Sequence, residues 1–338
     1  MVLQPRALID FQGVERPETF VDELRERNFL LATVGVCDLR GLSLVKVSGG
    51  DATDYLHRRL TGNVKTMATG DSRRMALLGG DGRMISDLQV HRAEADRYML
   101  VGQPIVRETL AAQVERYVIM DDVTVDDISK DHAVVALCGP DALDLLKLIT
   151  SKTDDASSIV VMEMDDIGVP GCALIVTEDS HGVWFERAAN AAHELGGGAC
   201  GHLAWDAVRV KNAVPLFGID TSSFTIPLEA GLDNLIDFNK GCFPGQEVVA
   251  RINNLGHPAR VLVQIQGKVG TIEVGAEIEA AEKSLGKVTS VASFGADDFA
   301  LAWVKWDYRE AGTRLTAQTT GGKAEVIVLE SAGIPAPH

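Results

Sequence analysis

The sequence predicts an α+β fold closed by a small C-terminal β-barrel, and two observations carry that expectation. Up to about Pro258, helical stretches are interleaved with hairpin-forming strands, which argues against a doubly wound parallel sheet. Beyond Pro258, short strands alternate with glycine turns, the pattern of a small barrel or sandwich. A chain of 338 residues exceeds the usual single-domain size. The change of texture places a boundary near Leu255 to Arg260. That gives an α+β region over 1–257, with 1–135 and 136–257 as a further split, and a barrel over 258–330.

Pro17 to Asn28 carries acids early and arginines late, with Phe20, Val21 and Leu24 on one face, the charge order a helix dipole prefers. Leu42 to Val47 alternates as a half-buried strand does. Ser48-Gly49-Gly50-Asp51 turns the chain into a helix with Asp51 as its cap and Tyr55, Leu56 and Leu60 at helical spacing; Thr61-Gly62-Asn63 ends it. Arg74 to Leu78 and Met84 to His91 read as a hairpin around Gly79-Gly80-Asp81-Gly82. Tyr98 to Val101 reads as a strand and Ile105 to Tyr117 as a helix. Two strands follow, Val123 to Ile128 and Ala133 to Leu137, then a helix from Asp141 to Ile149 opened by Gly139-Pro140.

Ser151 to Ser158 is polar and reads as a loop. Gly171 to Thr177 and Val183 to Glu186 read as paired strands, Asn190 to Leu195 as a short helix and Gly196 to Gly201 as flexible. Leu203 to Asn212 is helical, with Ala204, Ala207 and Val208 on one side. The barrel strands are Val261 to Ile265, Glu277 to Ala280, Gly286 to Val291, Phe299 to Val304 and Ala324 to Leu329.

Composition narrows the function. With 46% hydrophobic and 24% charged residues, the chain has material for a large core. A net charge of −16 argues against nucleic acid as a partner, while leaving room for a small anion at a local positive site. No apolar run approaches the roughly 18–20 residues that span a bilayer, and Met1 to Asp10 shows no leader pattern. Five scattered cysteines and eight histidines show no metal-ligand spacing, which suggests a reduced, cytoplasmic protein without a metal site of its own.

The most informative stretch is Asn239-Lys240-Gly241-Cys242-Phe243-Pro244-Gly245-Gln246-Glu247. Its glycines and proline describe a stiff, exposed turn. Lys240 beside Cys242 favours a thiolate and hence a reactive sulfur. The plain alternative is a tight turn whose cysteine only packs.

This string resembles the Lys-Gly-Cys-Tyr-x-Gly-Gln-Glu signature of the YgfZ proteins, folate-binding relatives of the glycine-cleavage aminomethyltransferase GcvT, with Phe243 in place of tyrosine. The likeness extends over most of the chain. Gly49 to Ala52 through Leu60-Thr61-Gly62-Asn63-Val64 is similar to the family's strand–turn–helix, and Gly80 to Leu88 to its glycine-turn hairpin. Leu301-Ala302-Trp303-Val304 resembles part of its closing barrel, with Trp303 and Trp306 expected in the barrel core.

The resemblance implies a set of site residues. Cys242, Lys240 and Asp87 are the catalytic candidates, although the transferases carry two adjacent aspartates where this chain has Ser86-Asp87. Glu186 falls at the family's Phe-Glu-Ile strand and is implied to bind the pterin edge. Trp205 and Arg209 sit on the helix similar to the transferases' Arg-Asp-Thr-Leu-Arg; the indole offers a stacking face. Gln246 in the signature and Arg251 beyond it complete the cofactor-binding set, Arg251 facing a folate glutamate tail. The plain readings are a solvated Asp87, a solvated Glu186 and a core Trp205; Glu229 either reaches the ligand or caps the turn after it.

The implied cofactor is tetrahydrofolate or a derivative. The first functional reading is a folate-binding accessory protein that supports iron–sulfur cluster assembly or repair through Cys242, with iron–sulfur proteins as partners. The alternative is a folate-dependent methyl- or aminomethyltransferase in which Asp87 and Glu186 act. A third is a thiol-redox protein without folate.

Overall fold

The computed structural model describes residues 4–151 and 159–332, so the expected loop after Ser151 lies outside the described residues. A hairpin of β1 (Ala7–Phe11) and β2 (Val14–Thr19) precedes α1 (Glu23–Ala32). The first helix therefore starts later than Pro17, because Pro17 is drawn into β2 opposite Leu8. Asp22 caps α1, its carboxylate accepting from Arg25 N at 2.9 Å.

The chain continues through β3 (Gly35–Asp38), β4 (Ser43–Ser48), α2 (Ala52–Arg59), β5 (Ser72–Leu78), β6 (Met84–Glu94), β7 (Arg97–Gly102), α3 (Leu110–Glu115), β8 (Thr124–Asp127) and β9 (His132–Cys138). Then come α4 (Ala142–Ser151), β10 (Val160–Glu163), β11 (Gly171–Thr177), α5 (Glu178–Ala192), β12 (Gly198–Cys200), α6 (His202–Lys211) and α7 (Gln246–Leu255). The first sheet has the order β5-β6-β7-β4-β8, the second β10-β11-β9-β3-β12.

The two sheets face each other. Leu44, Met99 and Val101 of the first pack with Val134, Ala136 and Ala173 of the second, and α6 adds Ala204, Trp205 and Val208. The opposite face of the first sheet carries Val45, Val47, Leu88 and Val90 against Tyr55 and Leu56 of α2 and Leu110 of α3. β4 is thus covered on both faces rather than half-exposed. α4 and α5 cover the outer face of the second sheet.

Two expectations fail in the second sheet. Val183 to Glu186 is not a strand but part of α5, and β11 pairs instead with β10 and β9. His181, Trp184, Phe185, Ala188, Ala189 and Ala192 recur at helical spacing and are buried, so the 3.6-residue period prevails over a four-residue run. The stretch Gly196 to Gly201 is not a loose loop: β12 pairs in parallel with β3. A side chain at Gly197 would place its Cβ 2.0 Å from the Val34 carbonyl, so glycine there permits close backbone approach.

The barrel is closed by β13 (Arg260–Lys268), β14 (Glu277–Ala280), β15 (Lys283–Phe294), β16 (Asp297–Lys305), β17 (Arg314–Thr319) and β18 (Gly322–Ser331), in the order β13-β16-β15-β14-β17-β18. β17 escaped the sequence reading because Leu315 is its single large apolar residue. Trp303 lies on the barrel's outer side, packed against the core of the first sheet and donating to the Asp220 carbonyl at 3.0 Å. Trp306 packs against the barrel core. Among the described residues no helix is long and apolar enough to cross a membrane, and no group of three or more His, Cys, Asp or Glu side chains is arranged to hold a metal ion.

Candidate functional site

Strand alternation in the β5–β6 hairpin sends Leu88 and Val90 to one core and leaves Asp87 and Gln89 on the face toward the second sheet. Arg74, the register partner of Gln89, reaches along that face to Asp87. Its Nε donates to Asp87 Oδ2 at 2.9 Å and Nη2 donates to the same oxygen. The two side chains are only 7% and 4% exposed. Ser86, the next residue back, is buried and donates to the Asp87 carbonyl at 2.7 Å.

Around this pair lies a nook of about 10 Å³, room for one water, lined by Leu42, Val101 and Gly102 together with Arg74, Asp87, Gln89, Gln103 and Asp166. Five polar atoms of that lining are buried without a hydrogen-bond partner in the protein: Arg74 Nη1, Asp87 Oδ1, Gln89 Oε1, Gln103 Oε1 and Asp166 Oδ1. Buried polar groups are ordinarily satisfied, so such a concentration marks a place built to meet something else. Burial pushes the Asp166 carboxyl up to about 6, against the pull of Arg74. Burial lowers Arg74 in turn, but the charges of Asp87 and Asp166 outweigh it and leave the guanidinium raised.

Arg74 also borders a second, larger space. A cleft of about 370 Å³ runs along edge strand β5, lined by Gly62, Asn63, residues 73–75 and residues 234–239. The signature string therefore begins at its wall, with Asn239. Lys240 does not attend the thiol. Its ammonium is buried and donates to the carbonyls of His57, Leu60 and Gly62, the last at 2.9 Å, closing the C-terminal end of α2. Burial lowers this amine to about 8.

Phe243 enters the first core. Gly245 has φ +80°, and a Cβ there would stand 2.5 Å from the Gly79 carbonyl oxygen and 2.6 Å from Gly82 Cα. The signature is thus fastened against the glycine turn of the β5–β6 hairpin. Cys242 is exposed, whereas the other four cysteines are buried; burial pushes the Cys172 thiol up to about 12. Gln246 is half-buried at the start of α7, and Arg251 is exposed on the same helix.

The remaining candidates lie elsewhere. Trp205 is 2% exposed in the core between the sheets, stacked on His202 at 5.9 Å, and lines neither space. Arg209, expected as a cofactor ligand, is engaged with protein: it bonds Asp206 at 2.7 Å, Asp220 at 2.6 Å and Ser290 Oγ at 2.8 Å. Glu186 is half-buried on α5, across the second sheet from the nook. Glu229 caps its own turn, accepting from Ile226 N at 3.1 Å. The structure therefore does not assemble Trp205, Glu186 and Cys242 around one cavity; of the expected residues, Asp87 alone lines the nook.

Sequence reasoning missed Arg74, Gln89, Gln103 and Asp166. A signal existed for two of them, because polar residues recur at every second position in strands otherwise apolar enough to be covered on both faces. Nothing local marks Asp166.

The chain is 25% identical over 297 residues to the aminomethyltransferase of Halalkalibacterium halodurans, covering 84% of this chain and 81% of that protein. It is 29% identical over 337 residues to a probable aminomethyltransferase of Natronomonas pharaonis, covering 95% and 93%. The fold is that of the crystal structure of glycine cleavage system aminomethyltransferase T from Bartonella henselae, with a TM-score of 0.87 over 96% of this chain and 93% of that one at 22% identity. The family described as the GCVT N-terminal domain matches residues 5–181, just over half of the sequence, and the chain belongs to that family.

Proposed function

We propose that the protein binds a reduced folate and carries out one-carbon transfer of the aminomethyltransferase type. GcvT aminomethyltransferases use tetrahydrofolate as substrate or cofactor. The observation that carries the reading is the set of unpartnered atoms in the nook. A pterin edge presents N–H donors beside a carbonyl acceptor. Asp87 Oδ1 and Asp166 Oδ1 supply acceptors for the former and Arg74 Nη1 a donor for the latter, met through the one water that the nook admits. The nook is too small for a ring system, whereas the 370 Å³ cleft on the other side of Arg74 falls within the roughly 300–1,000 Å³ of ligand pockets.

One observation favours a second reading. Cys242 is the single exposed thiol of the chain and sits in the YgfZ-like string, as expected of an accessory factor for iron–sulfur proteins. Calorimetry with tetrahydrofolate and product analysis with an aminomethyl donor separate the two. We expect Asp87→Asn to weaken folate binding about 10- to 100-fold, the worth of a hydrogen bond to a charged group, and to abolish transfer. Cys242→Ser should leave both unchanged. Folate binding without any methylene- or methylfolate product would remove the transferase reading and leave the accessory one, for which Cys242→Ser must impair iron–sulfur enzymes in cells.

A further inference from the structure

We infer that Asp166, on the turn between β10 and β11, is the proton carrier of this site, facing the ion pair of Asp87 and Arg74 across the nook. The inference deepens the folate reading and rests on it. Asp166 comes from the second sheet, whereas Arg74, Asp87 and Gln89 come from the first, so the groups converge across the space between the sheets.

Two carboxylates against one buried cation leave an uncompensated negative charge if both ionise, and a proton shared by the pair removes it. Asp87 Oδ2 takes both Nε and Nη2 of Arg74, so Asp87 is the carboxylate paired directly with the cation. Only Nη1 remains for Asp166. The proton therefore lodges on Asp166, in keeping with the upward push of burial on its carboxyl. The charged and titratable groups acting on it are Arg74, Asp165 and Asp87, with the neutral Gln89 beside it.

This arrangement suits one-carbon exchange between amines. An amine nitrogen that forms a new C–N bond loses a proton, and the amine that leaves as a C–N bond breaks gains one. Through the single water for which the nook has room, the Asp166 carboxyl supplies the proton that the leaving amine gains and recovers the one that the nitrogen gaining the carbon loses, so protons and charge balance. While Asp166 is ionised, the charge of Arg74, whose Nη1 has no partner in the protein, offsets it across the nook.

The test uses the full chain with isotope-labelled aspartate, read by infrared difference spectra from about pH 5 to about pH 8, the range bracketing a carboxyl near 6. A protonated-carboxyl band should titrate near pH 6, vanish in Asp166→Asn, and shift to lower pH in Asp87→Asn, where Arg74 is freed for Asp166. Asp166→Asn should also slow transfer on the order of 100-fold and flatten its pH profile across that range. A band that is absent, or that survives in Asp166→Asn, overturns the inference even where folate binds. Failure of the wild-type chain to bind folate, with the band present, overturns the folate reading instead.

Discussion

Replacing Arg209 by methionine should lower the free energy of unfolding by about 3–5 kcal/mol, the cost of stranding a buried charge. The stranded group is Asp220, whose side chain is 0% exposed. Its Oδ2 accepts from Arg209 Nη1 at 2.6 Å and from Leu216 N at 2.9 Å, and its Oδ1 accepts from Thr289 Oγ1 at 2.5 Å and Ser290 Oγ at 2.7 Å. Arg209 closes the triangle by donating to Ser290 Oγ at 2.8 Å. Thr289 and Ser290 belong to β15, so the network ties α6 to the barrel. Urea unfolding checks the size of the loss. The double variant Arg209→Met/Asp220→Leu should recover much of it, because replacing a buried ion pair by apolar side chains is often neutral. A single-variant loss below about 1 kcal/mol, the level of an exposed pair, would show that this cluster holds nothing together.

The second large effect is expected at Gly245. Gly245→Ala should cost about 2–4 kcal/mol, since an L side chain is strained at φ +80° and its Cβ would collide with the hairpin backbone at Gly79 and Gly82. Gly241 is the control, directly before the thiol that Gly245 follows by three residues. Its φ is not in the left-handed region, and the nearest atom to a new Cβ is His57 Nε2 at 4.0 Å. Gly241→Ala should therefore stay within about 0.5 kcal/mol. Thermal unfolding of the two variants decides the matter. Equal shifts would mean that the signature's glycines serve chain flexibility and not the docking of one turn on another.

Where local chemistry determines structure, the reading from residues alone held. The β5–β6 hairpin is specified by Gly79-Gly80-Asp81-Gly82 between alternating strands, and α6 by Ala204, Ala207 and Val208 on one side. Long-range pairing was not visible. β12 is a glycine-rich tripeptide whose partner, β3, lies over 160 residues earlier, so only the tertiary fold makes it a strand. The site divides the same way. Asp87, which lines the nook, was singled out through the resemblance of its hairpin to the family's. Arg209 looked like a ligand group, yet its charge is consumed by Asp220, only 11 residues away. Asp166 follows Asp165 in what reads as an ordinary polar turn; burial, which no local pattern shows, is what raises its carboxyl.

The uneven placement of the cysteines has a practical corollary. Four thiols are sealed in the core while the fifth faces solvent on the string that begins at the cleft wall. A maleimide dye added to the native chain should mark one position stoichiometrically, with no engineered handle and no background from the interior. Its emission would then report in real time on whatever enters beside it.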